Sequence, residues 1–313
     1  MAKYRDNLPQ LSKDLFLTDG GLETILIFQE GFDLPEFAAF DLLKHERGVE
    51  SLKKYYRNYS ACAREHEVGF VLESATYRAS SDWGQKIGYS MEQLDRFNHQ
   101  AIEMLAKIRE EFETDRTKMV ISGCVGPRGD GYNPEQMLSA EQAEEYHSAQ
   151  IRTLSRTEAD LVSAFTLSYT AEAIGIARAA VSSDIPVVIG FTVETDGRLP
   201  AGKSLQRAIE EVDEATSNAP AYYMINCAHP SHFENELSGD EAWLNRLRAI
   251  RANASSKSHA ELNEATELDA GNPVEFGQIY RRLRQKLQHV NILGGCCGTD
   301  HRHVKEIAQA CLA

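Results

Sequence analysis

The stretch from 187 to 226 reads VVIGF (187–191), TVETDGRLPAGKS (192–204), LQRAIEEVDEAT (205–216), SNAPA (217–221) and YYMIN (222–226). Two short apolar runs flank an amphipathic segment of helical pattern over 204–217, the signature of a strand–helix–strand unit with parallel strands. The same alternation extends in both directions. Strand candidates fall at 15–18, 70–73, 119–123, 160–164, 187–191, 222–226, 247–252 and 291–294. Helical patterns fall between them, at about 46–68, 91–115, 139–158, 170–183, 204–217, 232–246, 273–288 and 300–312. Eight such units in 313 residues predict an α/β fold of one (β/α)8 TIM barrel over 1–313, rather than an open doubly wound sheet. The polar stretch 255–272 is the longest loop candidate.

Composition supports a packed globular chain. Hydrophobic residues are 42% and charged residues 26%, which excludes intrinsic disorder. The 33 basic residues against 47 acidic give a net charge of −14, so no nucleic acid and no anionic membrane surface is expected as a partner. No apolar run approaches the roughly 20 residues of a bilayer span, and the polar start MAKYRDNLPQLSKD has no signal-peptide core. A cytoplasmic location is the expectation.

The strand ends carry the chemistry. They read Thr18-Asp19-Gly20-Gly21, Glu73-Ser74-Ala75-Thr76, Gly123-Cys124-Val125-Gly126-Pro127, Thr192-Val193-Glu194, Asn226-Cys227 and Gly294-Gly295-Cys296-Cys297-Gly298-Thr299. In a barrel these ends converge on one mouth, where active sites are built. Cys227 and the pair Cys296-Cys297 would then meet, although 69 residues separate Cys227 from Cys296. Three thiolates can bind one Zn2+ and leave a fourth position open, the pattern of a catalytic rather than a structural zinc. The same cysteines also read as one core residue and one buried pair, and a strained vicinal disulfide is a third alternative. Cys62 and Cys311 read as small buried or half-buried apolar residues, and Cys124 as a residue that could line the pocket.

The runs Asp19-Gly20-Gly21, Asn226-Cys227 and Gly294-Gly295-Cys296-Cys297-Gly298-Thr299 together resemble the homocysteine S-methyltransferase family, which includes betaine and S-methylmethionine enzymes. The resemblance covers essentially the whole chain. It implies a (β/α)8 barrel, Zn2+ held by Cys227, Cys296 and Cys297, and no further catalytic side chain. It also implies a role in methionine biosynthesis. The partners it implies are a small-molecule thiol and a small sulfonium or betaine-type methyl donor, with an oligomer allowed. Substrate contacts are expected from Asp19, Gly20, Gly21, Glu23, Glu73, Thr76 and Asn226. The chain departs from the family at the fourth strand. A run like Glu-Thr-Ile-Pro, whose glutamate meets the amino group of homocysteine, is replaced by Phe165-Thr166-Leu167, and Arg251-Ala252-Asn253-Ala254 replaces a small polar segment after the seventh strand. Glu23, Glu73 and Glu194 are candidates for a surrogate carboxylate, and Tyr77, Trp83 and Tyr132 for an aromatic wall toward a cationic donor. A non-homocysteine thiol acceptor, a different reaction, or a zinc- or thiol-binding barrel without turnover are the rival expectations. His229, His301 and His303 are weaker ligand candidates, the last two expected to face solvent.

Overall fold

The computed structural model of the chain describes residues 1–134, 136–237 and 241–312. Eight parallel strands close on themselves in chain order. They are β1 (Phe16–Thr18), β2 (Gly69–Glu73), β3 (Met119–Val125), β4 (Leu161–Leu167), β5 (Val187–Phe191), β6 (Tyr222–Asn226), β7 (Leu247–Ala252) and β8 (Ile292–Gly295). Closure is made at β1, where Phe16 pairs with Gly69 on one side and with Ile292 on the other. The helices are α1 (Leu22–Phe28), α2 (Glu46–Glu65), α3 (Ser81–Lys86), α4 (Met91–Phe112), α5 (Ala140–Ser155), α6 (Thr170–Ser182), α7 (Leu205–Thr216), α8 (His259–Asn263), α9 (Pro273–Lys286) and α10 (His301–Leu312).

The strands read as continuous apolar runs because both faces are covered, yet each still alternates with period two. Phe16, Val71, Val120, Leu161, Val188, Tyr222, Ala249 and Ile292 form a cluster within the barrel. Their neighbours Leu17, Leu72, Ile121, Val162, Ile189, Tyr223, Ile250 and Leu293 pack in the larger cluster shared with the helices. The same parity carries upward. Two residues beyond the inner positions come Thr18, Glu73, Ser122, Ser163 and Arg251, so polar side chains of five strands stand above an apolar floor that also includes Met224. The N-terminal segment covers the opposite end. Leu8 joins the inner cluster, and Asp160 accepts hydrogen bonds from the backbone N–H of Lys3 (2.8 Å) and Tyr4 (2.7 Å).

The strand expectations hold at all eight places. The helix expected over 232–246 is not found among its described residues, and 238–240 lie outside them. Among the described residues of that crossover only short 3-10 turns occur, Pro230–His232 and Ala242–Arg246. The loop expected at 255–272 contains α8, started by a capping box between Ser258 and Glu261.

Candidate metal centre at the barrel mouth

The three cysteines meet because β7 is laced between the strands that carry them. The N–H of Cys227 donates to the carbonyl of Arg251 (3.1 Å), and the N–H of Cys296 to that of Ala252 (2.8 Å). The N–H of Ala254 donates to the carbonyl of Cys297 (3.0 Å). Cys227 and Cys296 thereby stand 5.4 Å apart at Cα, and the three sulfurs lie within 4.8 Å of one another. Cys227 and Cys296 are joined as a disulfide, while Cys297 is free and half-buried. The expectation of three free thiols is therefore met at Cys297 alone, and a shared ion requires the other two reduced. The disulfide joins Cys227 to Cys296 and leaves the adjacent pair unlinked, since strands converging across the mouth bring those two sulfurs together.

Backbone geometry around the sulfurs is tightly specified. Cys227 has φ of 54°, a left-handed conformation that costs a non-glycine residue about 1–2 kcal/mol. Its carbonyl is held in place by three donors: His259 Nε2 at 2.7 Å, Asn253 Nδ2 at 2.9 Å and Thr192 Oγ1 at 3.3 Å. The Asp19-Gly20-Gly21 turn is pressed against the other cysteine loop. A Cβ on Gly20 would stand 2.9 Å from the carbonyl oxygen of Thr299, and one on Gly21 2.6 Å from that of Cys296. The paired glycines are thus required by close approach to the cysteine loop.

Beneath the sulfurs lie these polar side chains. The Arg251 guanidinium pairs with Asp19 and donates from Nε to the carbonyl of Gly295 at 3.1 Å. Its Cζ sits 4.9 Å from the centre of the Phe165 ring. Ser163 donates to Glu73 at 3.3 Å and shares a 2.7 Å hydrogen bond with Ser122. Burial opposes the Arg251 charge, but Asp19 and then Glu73 outweigh it, and the group stays protonated. Burial pushes Glu73 up to about 7, with Arg251 pulling the other way. Burial, with Asp19 adding to it, raises Glu23 to about 6. Burial pushes the Cys297 thiol up to about 12; Glu23 adds to this and Arg251 opposes it.

Of the other residues nominated from sequence, several are committed to protein partners. Thr76 is fully buried and donates to the carbonyl of Cys124 (2.7 Å). Asn226 uses both ends of its amide on Thr166, accepting from its N–H (2.9 Å) and donating to its hydroxyl (2.8 Å). Thr166 has φ of 59° at an irregularity of β4, so Asn226 fixes the turn-out beside Phe165. Trp83 is sandwiched by the cations of Arg78 and Lys86, at 3.6 and 3.9 Å, and donates to the carbonyl of Pro127 (3.1 Å). Glu194 faces His259 Nδ1 at 3.1 Å. Tyr77 and Tyr132 remain half-buried at the rim; the Tyr132 ring lies 3.9 Å from that of His259. His301 is exposed as expected, but His303 is fully buried against Asp300 and the carbonyl of Ala270, because it sits on the inner side of α10. His229 caps a short turn through Ser231, and burial lowers it to about 4. Cys62 is buried and Cys311 half-buried, both with pKa pushed up to about 11 by burial, as suits inert thiols.

Sequence reasoning missed His259 as part of this site, and noted Thr192, Arg251 and Asn253 at strand ends without giving them a role. For Arg251 a signal existed, since period-two parity from Ala249 points it inward. His259 lies in a segment read as a loop.

Comparison with known proteins gives a consistent result. The family profile described as "Homocysteine S-methyltransferase" matches residues 16–311. The homocysteine S-methyltransferase YbgG of Bacillus subtilis (strain 168) is 22% identical over 274 residues, covering 83% of each chain. A selenocysteine Se-methyltransferase of Brassica oleracea var. italica is 22% identical over 314 residues, covering 93% of this chain and 87% of that one. Among solved structures, the oxidized form of the homocysteine methyltransferase MmuM from Escherichia coli superposes with a TM-score of 0.72 at 18% identity, covering 96% of this chain and 97% of that one. Its metallated form gives 0.71 at 17% identity, covering 95% and 96%.

Proposed function

The chain belongs to the homocysteine S-methyltransferase family and is a thiol S-methyltransferase; from that premise we propose that it works with Zn2+ held by Cys227, Cys296 and Cys297 and takes its methyl group from a small sulfonium or betaine-type donor. The observation that carries this reading is the convergence of three cysteine sulfurs, from the ends of β6 and β8, within 4.8 Å at the mouth. The donor set fits the ion: three soft sulfur ligands leave one position of a tetrahedron open. The metallated form of MmuM lends further support. Zinc, when bound, makes a coordinated thiol a thiolate at neutral pH, where a free thiol of pKa about 8.5 is mostly protonated.

The chain's own residues then have positional work. Thr192, Asn253 and His259 fix the carbonyl of Cys227, and Gly20-Gly21 let the first turn pack beside Cys296. Tyr77 and Tyr132 are placed at the rim to face a cationic donor, as Trp83, already between two cations, is not. The acceptor sulfur forms a new bond to the methyl carbon as the donor's C–S⁺ or C–N⁺ bond breaks. The electron pair of that bond leaves on the neutral thioether or amine, and the acceptor's proton has gone to solvent. The chain acts as one barrel unit over 1–313. Among the described residues no helix is long and apolar enough to cross a membrane, and we place the reaction in the cytoplasm.

Metal analysis of reduced protein tests the reading. Near one equivalent of zinc is expected, and serine at any of the three cysteines should remove most of it. Zinc held by Cys227→Ser as tightly as by the parent would overturn the three-sulfur site. Turnover against a panel of thiols and sulfonium or betaine donors identifies the pair.

A further inference from the structure

We propose that Arg251 is the anchor for an anionic group of the acceptor, and that the acceptor is a small mercapto-carboxylate carrying no ammonium beside its carboxylate. The inference rests on the thiol-methyltransferase reading and names its substrate class. Arg251 crosses the mouth from β7 directly below the cysteine loops. Its Nε and Nη2 are used, by Gly295, Asp19 and Gly20. Nη1 is buried and donates to nothing. A buried guanidinium with idle N–H groups is costly, and an acceptor brought by a ligand relieves that cost.

Two neighbours bear on the ligand's charge, beside Glu73, whose Oε1 accepts from Ser163 at 3.3 Å and whose Oε2 is buried without a partner. Asp19 is committed to Arg251, so its carboxylate is not free to meet a cation. Phe165 covers the guanidinium from β4 and offers an ammonium no salt-bridge partner. Arg251, Phe165 and Glu73 retain 6–7% exposure, whereas Leu17, Ile121 and Ile250 on the outer faces of the strands have none. That residual exposure lies among Arg251, Phe165 and Glu73.

Four probes read this on the unmodified, reduced protein by titration calorimetry. They are 4-mercaptobutanoate, 3-mercaptopropylamine, homocysteine, and the thioether 4-(methylthio)butanoate. The thioether keeps the carboxylate but cannot become a thiolate, so it should bind with or without zinc. 4-Mercaptobutanoate should bind zinc-loaded protein at least tenfold more tightly than homocysteine or the amine, the range expected for one charged hydrogen bond. Tighter binding of the amine, or no binding of either carboxylate, would overturn the assignment. Asp19→Asn/Arg251→Gln removes both charges together and should weaken the thioether at least tenfold. Phe165→Glu, which supplies Nη1 with an internal carboxylate, should do the same by another route. Retention within threefold in both folded variants also refutes the anchor. If the thioether binds as expected but no zinc is held and no thiol is methylated, it is the methyltransferase reading that fails.

Discussion

Gly21→Ala isolates the contact between the first turn and the cysteine loop. Gly21 has φ of −79° and ψ of 88°, with φ in the ordinary range, so alanine adds only bulk there. The new Cβ would lie 2.4 Å from Thr24 Oγ1 and 2.6 Å from the carbonyl oxygen of Cys296. The threonine hydroxyl can swing away. The carbonyl cannot, since it accepts hydrogen bonds from the N–H (3.1 Å) and hydroxyl (2.7 Å) of Thr299. Restoring an ordinary contact of 3.4 Å requires the cysteine loop to retreat by about 0.8 Å, several times the ~0.2 Å tolerance of metal–ligand distances. Overpacking of this kind costs about 1–3 kcal/mol. An unfolding entropy of roughly 2.1 cal/mol/K per residue gives about 0.66 kcal/mol/K for 313 residues, so Tm should fall by about 2–5 °C. Zinc affinity, read by competition with a chromophoric chelator, should fall about 10–100-fold. Gly129→Ala, where a Cβ meets nothing within 4 Å, is the control and should change neither. A Gly21→Ala protein that holds zinc with parental affinity would refute the claim that this glycine positions Cys296.

Glu73 tests the electrostatics of the polar side chains below the sulfurs. Its folded pKa of about 7 lies above the ordinary 4.5, so its contribution to stability is present below about pH 4.5 and lost as pH rises through 7. Glu73→Gln should therefore show a smaller fall in Tm between pH 5 and pH 8 than the parent; an equal or larger fall contradicts the assignment. Asp160→Ala removes the acceptor for the N–H groups of Lys3, Tyr4 and Ile121 and leaves buried Arg109 unpaired, which should cost about 3–5 kcal/mol by urea unfolding and speed proteolysis of the N-terminal segment. Cys62→Ala and Cys311→Ala should leave zinc content and turnover at parental values; loss of either with an intact circular dichroism spectrum would bring those thiols into the mechanism.

The barrel was legible because its strands are covered on both faces and so stand out as apolar runs, and because strand and helix alternate along the chain everywhere but in the crossover from β6 to β7. The cysteines were legible for a related reason, since topology brings strand ends together whatever their separation in sequence. Legibility failed where the partner is distant and local pattern is silent. Nothing around Asn226 reveals that Thr166, sixty residues earlier, takes both ends of its amide. His303 was misjudged for want of a helical-wheel reading, which would have set it beside Val304 and Ile307 on the inner side of α10. Arg251 was noticed only as an odd residue after a strand, though the parity that buries Ala249 also buries it.

The placement of the three sulfurs on β6 and β8 has a consequence for how the protein is made. Cys227 is positioned when β6 pairs with β7, but its companions come with the last strand, 69 residues later. At 5–20 residues per second that is roughly 3–14 s of synthesis during which Cys227 is a solitary thiol at the edge of an open sheet. On the three-sulfur reading, the nascent chain builds most of its barrel without help from an ion, and a metal is gathered only after β8 has registered against both β7 and β1. Metal uptake by a newly made chain would thus report that the ring has shut.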